Sequence, residues 1–167
     1  AGGERLSRHA RDAESLVEDG ASLEVGFERE NRILAYALAP PFAGPAREVL
    51  TPRGLRHCRA NGGIEAMTLL ADGRRLLVCE ARRRPADDTP AWIGAGERWT
   101  ERSYPLFFDG GGGGEPFRPT SAARLPGGDL LLLERRVPPI GARVLRIARE
   151  DLAAAAGDSP PPLHPRE

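Results

Sequence analysis

Residues 12–28 read DAESLVEDGASLEVGFE, residues 63–80 read GIEAMTLLADGRRLLVCE, and residues 119–134 read PTSAARLPGGDLLLLE. Each is a short apolar run, a glycine turn, a second apolar run and a closing Glu, so one unit recurs three times. The turns contain Asp19-Gly20, Asp72-Gly73 and Gly127-Gly128, dipeptides that supply positive φ in tight hairpins. Gly20, Gly73 and Gly128 fall 53 and 55 residues apart. In the first unit Leu23, Val25 and Phe27 alternate with Ser22, Glu24 and Gly26, the period of a half-buried strand.

Working outward, a third strand follows in each unit. In the first, residues 32–38 alternate after a turn at Glu28 to Asn31. In the third, residues 142–148 follow Pro138-Pro139-Ile140-Gly141. In the second, the return strand is expected within Glu97 to Phe108, reached through a long loop from Ala81 to Gly96. Antiparallel units of three or four strands at fifty-odd-residue spacing are the pattern of β-propeller blades. A β-sandwich or unrelated hairpins are the alternatives. The expected fold is therefore all-β and propeller-like. Propellers close with about four to eight blades, so three units read as part of a larger, roughly six-bladed ring and the chain as a portion of a longer protein. Residues 1–157 form the expected partial propeller domain and 158–167 a Pro-rich extended tail. Glu150 to Ala156 is the best short helix, and the five glycines between Asp109 and Glu115 read as a flexible loop.

Composition narrows the chemistry. The 167 residues carry 24 basic and 24 acidic side chains, and every basic one is Arg. The absence of Lys removes P-loop, Schiff-base and Ser/Lys mechanisms. Zero net charge argues against a nucleic-acid partner, since duplex-binding modules show a basic excess. No run approaches the roughly 20 apolar residues of a membrane-spanning helix, and the pattern is that of a soluble domain or part of one. Gly-x-Ser-x-Gly and Gly-x-Gly-x-x-Gly are absent, so neither a serine-esterase elbow nor a dinucleotide fingerprint is present. Cys58 and Cys79 form one disulfide or none. His57-Cys58 does not complete a tetrahedral metal shell.

The carboxylates remain. Glu14 and Glu65 hold the same place at the start of the first strand of two units, the strand that lines a propeller's channel. From adjacent blades they would form a cup for a divalent cation such as Ca2+, which takes oxygen ligands, or would divide into general acid and base. The third unit has Ser121 near that place. Glu80 is expected to support the pair. Glu28, Glu80 and Glu134 close their second strands, and a recurring Glu there reads first as a tie to backbone amides or to Arg29, Arg82 and Arg135. Arg32, Arg82 and Arg136 follow the hairpin ends and are candidates to clamp a phosphate in bidentate fashion. Trp92 and Trp99 anchor the long loop or cover a ligand.

The repeats resemble the family described by the esterase-like activity of phytase, a group of phytase-like bacterial proteins. The resemblance rests on Asp12-Ala13-Glu14, Phe27-Glu28-Arg29 with Arg32-Ile33 and Tyr36, and Asn61 with Gly63-Ile64-Glu65-Ala66. It extends to Asp72-Gly73 with Glu80, and to Pro119-Thr120, Leu125-Pro126, Gly128-Asp129-Leu130-Leu131 and Leu133-Glu134-Arg135-Arg136. It implies a propeller, export to the periplasm or beyond, and hydrolysis of a small phosphorylated or ester substrate by repeated Glu and Asp residues. The chain departs from the family at Asn31, where a His is usual, and at Ser121 and Gly127, where Asp is usual. The competing reading is a non-catalytic propeller that binds a ligand or a protein.

Overall fold

The computed structural model describes residues 12–40, 44–84, 86–108, 114–153 and 160–167. The described residues form three antiparallel sheets. The first is β1 (Ala13–Asp19), β2 (Ser22–Phe27), β3 (Arg32–Ala37) and β4 (Arg47–Val49), in that order. The second is β5 (Ile64–Leu69), β6 (Arg75–Cys79), β7 (Asp88–Ala95) and β8 (Arg98–Pro105). The third is β9 (Arg118–Arg124), β10 (Leu130–Arg136) and β11 (Gly141–Ile147), followed by the short helix α1 (Arg149–Ala153). The repeat reading is met in each sheet, since every quoted unit is a first-to-second-strand hairpin.

The three hairpin turns differ. β1 and β2 pair down to Asp19–Ser22, a two-residue turn with Gly20 at φ 55°. The other two turns are larger and alike. Leu70 and Leu125 donate to Arg74 and Asp129, and Gly73 and Gly128, at φ 82° and 95°, donate back to Leu70 and Leu125. Glycine is needed at these places because L side chains disfavour positive φ.

The second sheet departs from expectation. Residues 88–95, expected within a loop, are the strand β7, and β8 is the fourth strand. β7 is buried on both faces, so it has no alternation to read. Pro90 and Gly94 also suggest a break. Gly94 is in fact required by close packing, because a Cβ there would lie 2.2 Å from the Arg98 carbonyl oxygen. Trp92 is a core residue of β7 whose indole N–H donates to Glu101, and Trp99 anchors the β7–β8 turn by donating to Gly96 O.

Two apolar layers join the sheets. Ile33, Ala35 and Val49 pack against Met67, Leu77 and Trp92 between the first and second sheets. Leu76, Val78 and Ile93 pack against Leu130, Leu132 and Ile147 between the second and third. Polar ties reinforce both. Arg75 donates to the buried Glu24 carboxylate at 2.5 and 2.6 Å and to Asp19 at 2.6 Å. Tyr104 donates to Glu134 at 2.7 Å. The innermost strands are neighbours, with β5 lying between β1 and β9.

Cys58, which ends a 3-10 helix at Arg53–His57, is disulfide-bonded to Cys79 in β6. Residues 160–167, the described part of the expected Pro-rich tail, dock on the second and third sheets. Leu163 is fully buried in the second apolar layer, Arg102 donates to the Pro161 and Pro162 carbonyls, and Arg166 pairs with Arg146 of β11. Residues 109–113 of the glycine loop, the end of the expected helix at 154–156 and the expected domain boundary at 157/158 lie outside the described residues.

Candidate acidic site where the three sheets meet

The site grows from one irregularity that every sheet repeats. β1 and β2 pair at Ala13–Phe27 and next at Ser15–Gly26, leaving Glu14 as an extra residue. β5 and β6 pair at Ile64–Cys79 and next at Ala66–Val78, leaving Glu65 extra. β9 and β10 pair at Pro119–Glu134 and next at Ser121–Leu133, leaving Thr120 extra. A bulge bends its strand and re-aims the extra side chain. The three innermost strands therefore offer Glu14, Glu65 and Thr120 at one level. Ser121, expected near that place, instead corresponds to Ser15 and Ala66, each the first paired residue after its bulge.

The same register corrects the second recurring position. The residue after each partner just beyond the bulge, Phe27, Cys79 and Glu134, is Glu28, Glu80 and Arg135. Glu134 is thus one residue out of step with Glu28 and Glu80. A one-residue slip turns a side chain to the opposite face of a sheet. Glu134 is fully buried against the second sheet, held by Tyr104 and by the Arg143 guanidinium at 2.7 Å. Arg135 takes the place where the first two sheets have a carboxylate.

Two acidic triads gather here, Asp12 with Glu14 and Glu28, and Glu28 with Glu65 and Glu80. Within each, one oxygen per residue lies within 4.8 Å of the others. Glu28 belongs to both and accepts the backbone N–H of Gly63. Gly63 leaves room for both neighbours, since a Cβ would come within 2.3 Å of Asn31 Oδ1 and 3.3 Å of Glu28 Cγ. Asn31 itself occupies the positive-φ turn at 46°. Two arginines among the described residues stand nearby. Arg29 pairs with Asp12, and Arg135 stands 4.0 Å from Glu65 and 3.9 Å from Glu80.

Burial and crowding raise Glu14, Glu28 and Glu65 above their ordinary range. Glu65 is pushed up to about 7, first by burial and then by Glu80, with Arg135 opposing and Glu14 and Glu28 adding. Glu28 is raised by burial, against the stabilising Gly63 N–H, with Glu14, Asp12 and Glu80 contributing. Glu14 is raised by burial and by Asp12. Such a cluster can take up protons or a cation. Its all-oxygen donor set suits a hard divalent ion. Asn31 Oδ1, buried beside Gly63 and without a hydrogen-bond partner, adds a neutral oxygen that a cation with its water shell would satisfy.

The expected residues divide. Glu14, Glu65 and Glu80 come together. Arg136 lines a cavity with Glu80 and Arg135. Arg32 is held away from it, paired with Glu30 at 3.0 Å and lying over Phe27, and Arg82 pairs with Asp88 at 3.0 Å. Asp12, Glu28 and Arg135 were not foreseen as site residues. Counting from the turn glycine would have found Arg135, because it follows Gly128 by the same interval as Glu80 follows Gly73.

Among the described residues no helix is long and apolar enough to cross a membrane. The family model described as "Phytase-like: Esterase-like activity of phytase" matches residues 1–164. No curated protein and no solved structure matches the chain.

Proposed function

Because the chain belongs to the phytase-like family of esterase-like activity of phytase, we propose that it hydrolyses small phosphate esters at the acidic site where the three sheets meet. The observation that carries this reading is the convergence of Asp12, Glu14, Glu28, Glu65 and Glu80 from the first two sheets on one cluster. Asp12, Glu14 and Glu28 would hold a divalent cation, with calcium favoured by the exclusively oxygen donors and the number of carboxylates. When bound, the cation polarises a phosphoryl oxygen and lowers the pKa of a coordinated water. Glu65, buried and titrating near neutrality, accepts the proton of the attacking water and returns it to the leaving alkoxide. Glu80, beside Glu65, keeps its proton affinity high. Arg135 limits the repulsion among them.

The same proposal takes the three sheets as blades of a propeller of about six, supported by β1, β5 and β9 lying side by side at the inner edge. Export to the periplasm or the medium is supported by the Cys58–Cys79 disulfide, a bond that persists in oxidising compartments.

The test is Glu65→Gln assayed on an aryl phosphomonoester and an aryl phosphodiester, with calcium, magnesium or EDTA. The expected result is a loss of turnover of about 100-fold or more with no fall in melting temperature. Equal turnover in the variant and the parent overturns the assignment.

A further inference from the structure

A cavity of about 340 Å³ opens beside the acidic site, bounded by Glu80 on one side and by Arg118, Arg135 and Arg136 on the other, with Glu115 at its edge. Its basic wall belongs wholly to the third sheet. Arg118 and Arg135 are directly opposite each other in the β9–β10 ladder, and like charges so placed are destabilising. An anion seated between them removes that cost. Their surroundings leave donors available. Arg135 is 58% exposed, and its carboxylate neighbours at 3.9 and 4.0 Å are too far to take its N–H groups in hydrogen bonds. Arg118 reaches Glu115 at 3.3 Å and the Glu80 carbonyl at 3.5 Å, contacts at or beyond the weak end of the range. The Arg136 guanidinium lies over the Phe117 ring, 4.4 Å from its centroid, which fixes its plane against the cavity wall.

We infer that this cavity is a phosphoryl-recognition subsite, in which Arg118 and Arg135 hold the non-bridging oxygens of a phosphomonoester or of inorganic phosphate beside the acidic cluster. The inference rests on the hydrolytic reading above and adds a division of labour to it. The first two sheets place Glu28 and Glu80 at the register position where the third places Arg135. Two sheets therefore present the cation-binding charge and one presents the anion-binding charge. Planar guanidinium forks suit a tetrahedral dianion, which offers paired oxygens to each. A phosphodiester has fewer free oxygens and one charge, so the subsite favours monoesters.

The experiment is calorimetric titration of the full chain with inorganic phosphate in the presence of calcium, for the parent, Arg135→Gln, Arg118→Gln and Arg135→Lys. Each Gln variant is expected to bind phosphate about tenfold or more weakly, the loss of one charge-assisted contact. Arg135→Lys should recover part of that loss. Calcium affinity in Arg135→Gln should be equal or tighter, because a cation beside the carboxylates has gone. Phosphate affinity within about twofold of the parent in both Gln variants, with unchanged melts, overturns the subsite, as does a parent chain that binds no phosphate. Aryl phosphate turnover measured alongside separates the two readings. Turnover that needs Glu65 but ignores both arginines overturns the subsite alone. Arginine-dependent phosphate binding without turnover supports the subsite and sinks the hydrolytic reading.

Discussion

Glu65 carries an electrostatic consequence for stability. Its folded-state affinity for a proton is raised from the ordinary 4.5 to about 7, so between those values the native chain holds a proton that the unfolded chain has released. Stability contributed by that proton is complete below about 4.5 and is lost as pH rises to about 7. In EDTA the melting temperature is expected to fall over that window. Saturating calcium should cancel the fall at its upper end, because a cation replaces the proton among the carboxylates. Melts at half-unit pH intervals with and without calcium check this, and a flat EDTA profile would show that Glu65 is not crowded. Glu14 and Glu65 were legible as partners because each holds the same place at the start of the first strand of its unit. Glu28 was legible as a recurring residue but read as a backbone tie. It is one, to Gly63, and it is also the acid shared by both triads. Sequence shows that a side chain recurs; it does not show that one contact leaves its second oxygen for another.

At the scale of strands, the decisive quantity is register. Glu134 looks like the third copy of Glu28 and Glu80 because all three close an apolar run. The ladder puts it one residue earlier, on the face that packs against the second sheet, where Tyr104 and Arg143 satisfy it. Glu134→Ala is therefore expected to cost about 3 kcal/mol or more, since it leaves the Tyr104 hydroxyl and the Arg143 guanidinium without their acceptor. Calcium affinity should not change. Chemical denaturation with a parallel calcium titration checks both halves, and an intact fold with weakened calcium binding would return Glu134 to the site. The hairpins themselves were readable, with period-two alternation in β2 and β3 and glycines in the turns. β7 was not, because a strand covered on both faces loses its alternation, and Pro90 and Gly94 look like punctuation until their neighbours are in place.

For the molecule as a whole, the second sheet is the common wall of both apolar layers, and the closing segment seals one of them. Leu163 is completely buried between the second and third sheets, so Leu163→Ala is expected to cost about 2–5 kcal/mol, the range for a large core side chain truncated to Ala. The change should loosen the Arg166–Arg146 pairing, which amide hydrogen exchange in β11 would report. Unaltered stability and exchange would mean that the segment is dispensable. Its docking was not readable, since a Pro-rich stretch with one Leu gives no periodicity. The Cys58–Cys79 bridge has an effect of another kind. It ties the segment before β5 to the residue preceding Glu80, alongside backbone bonds from Arg59 to Ala81, from Glu80 to Gly63 and from Ala81 to Gly62. One side of the acidic wall is thus anchored by a covalent bond. Reducing that bond would leave Glu80 held by noncovalent contacts, which couples the firmness of the acidic wall to the redox state of its surroundings.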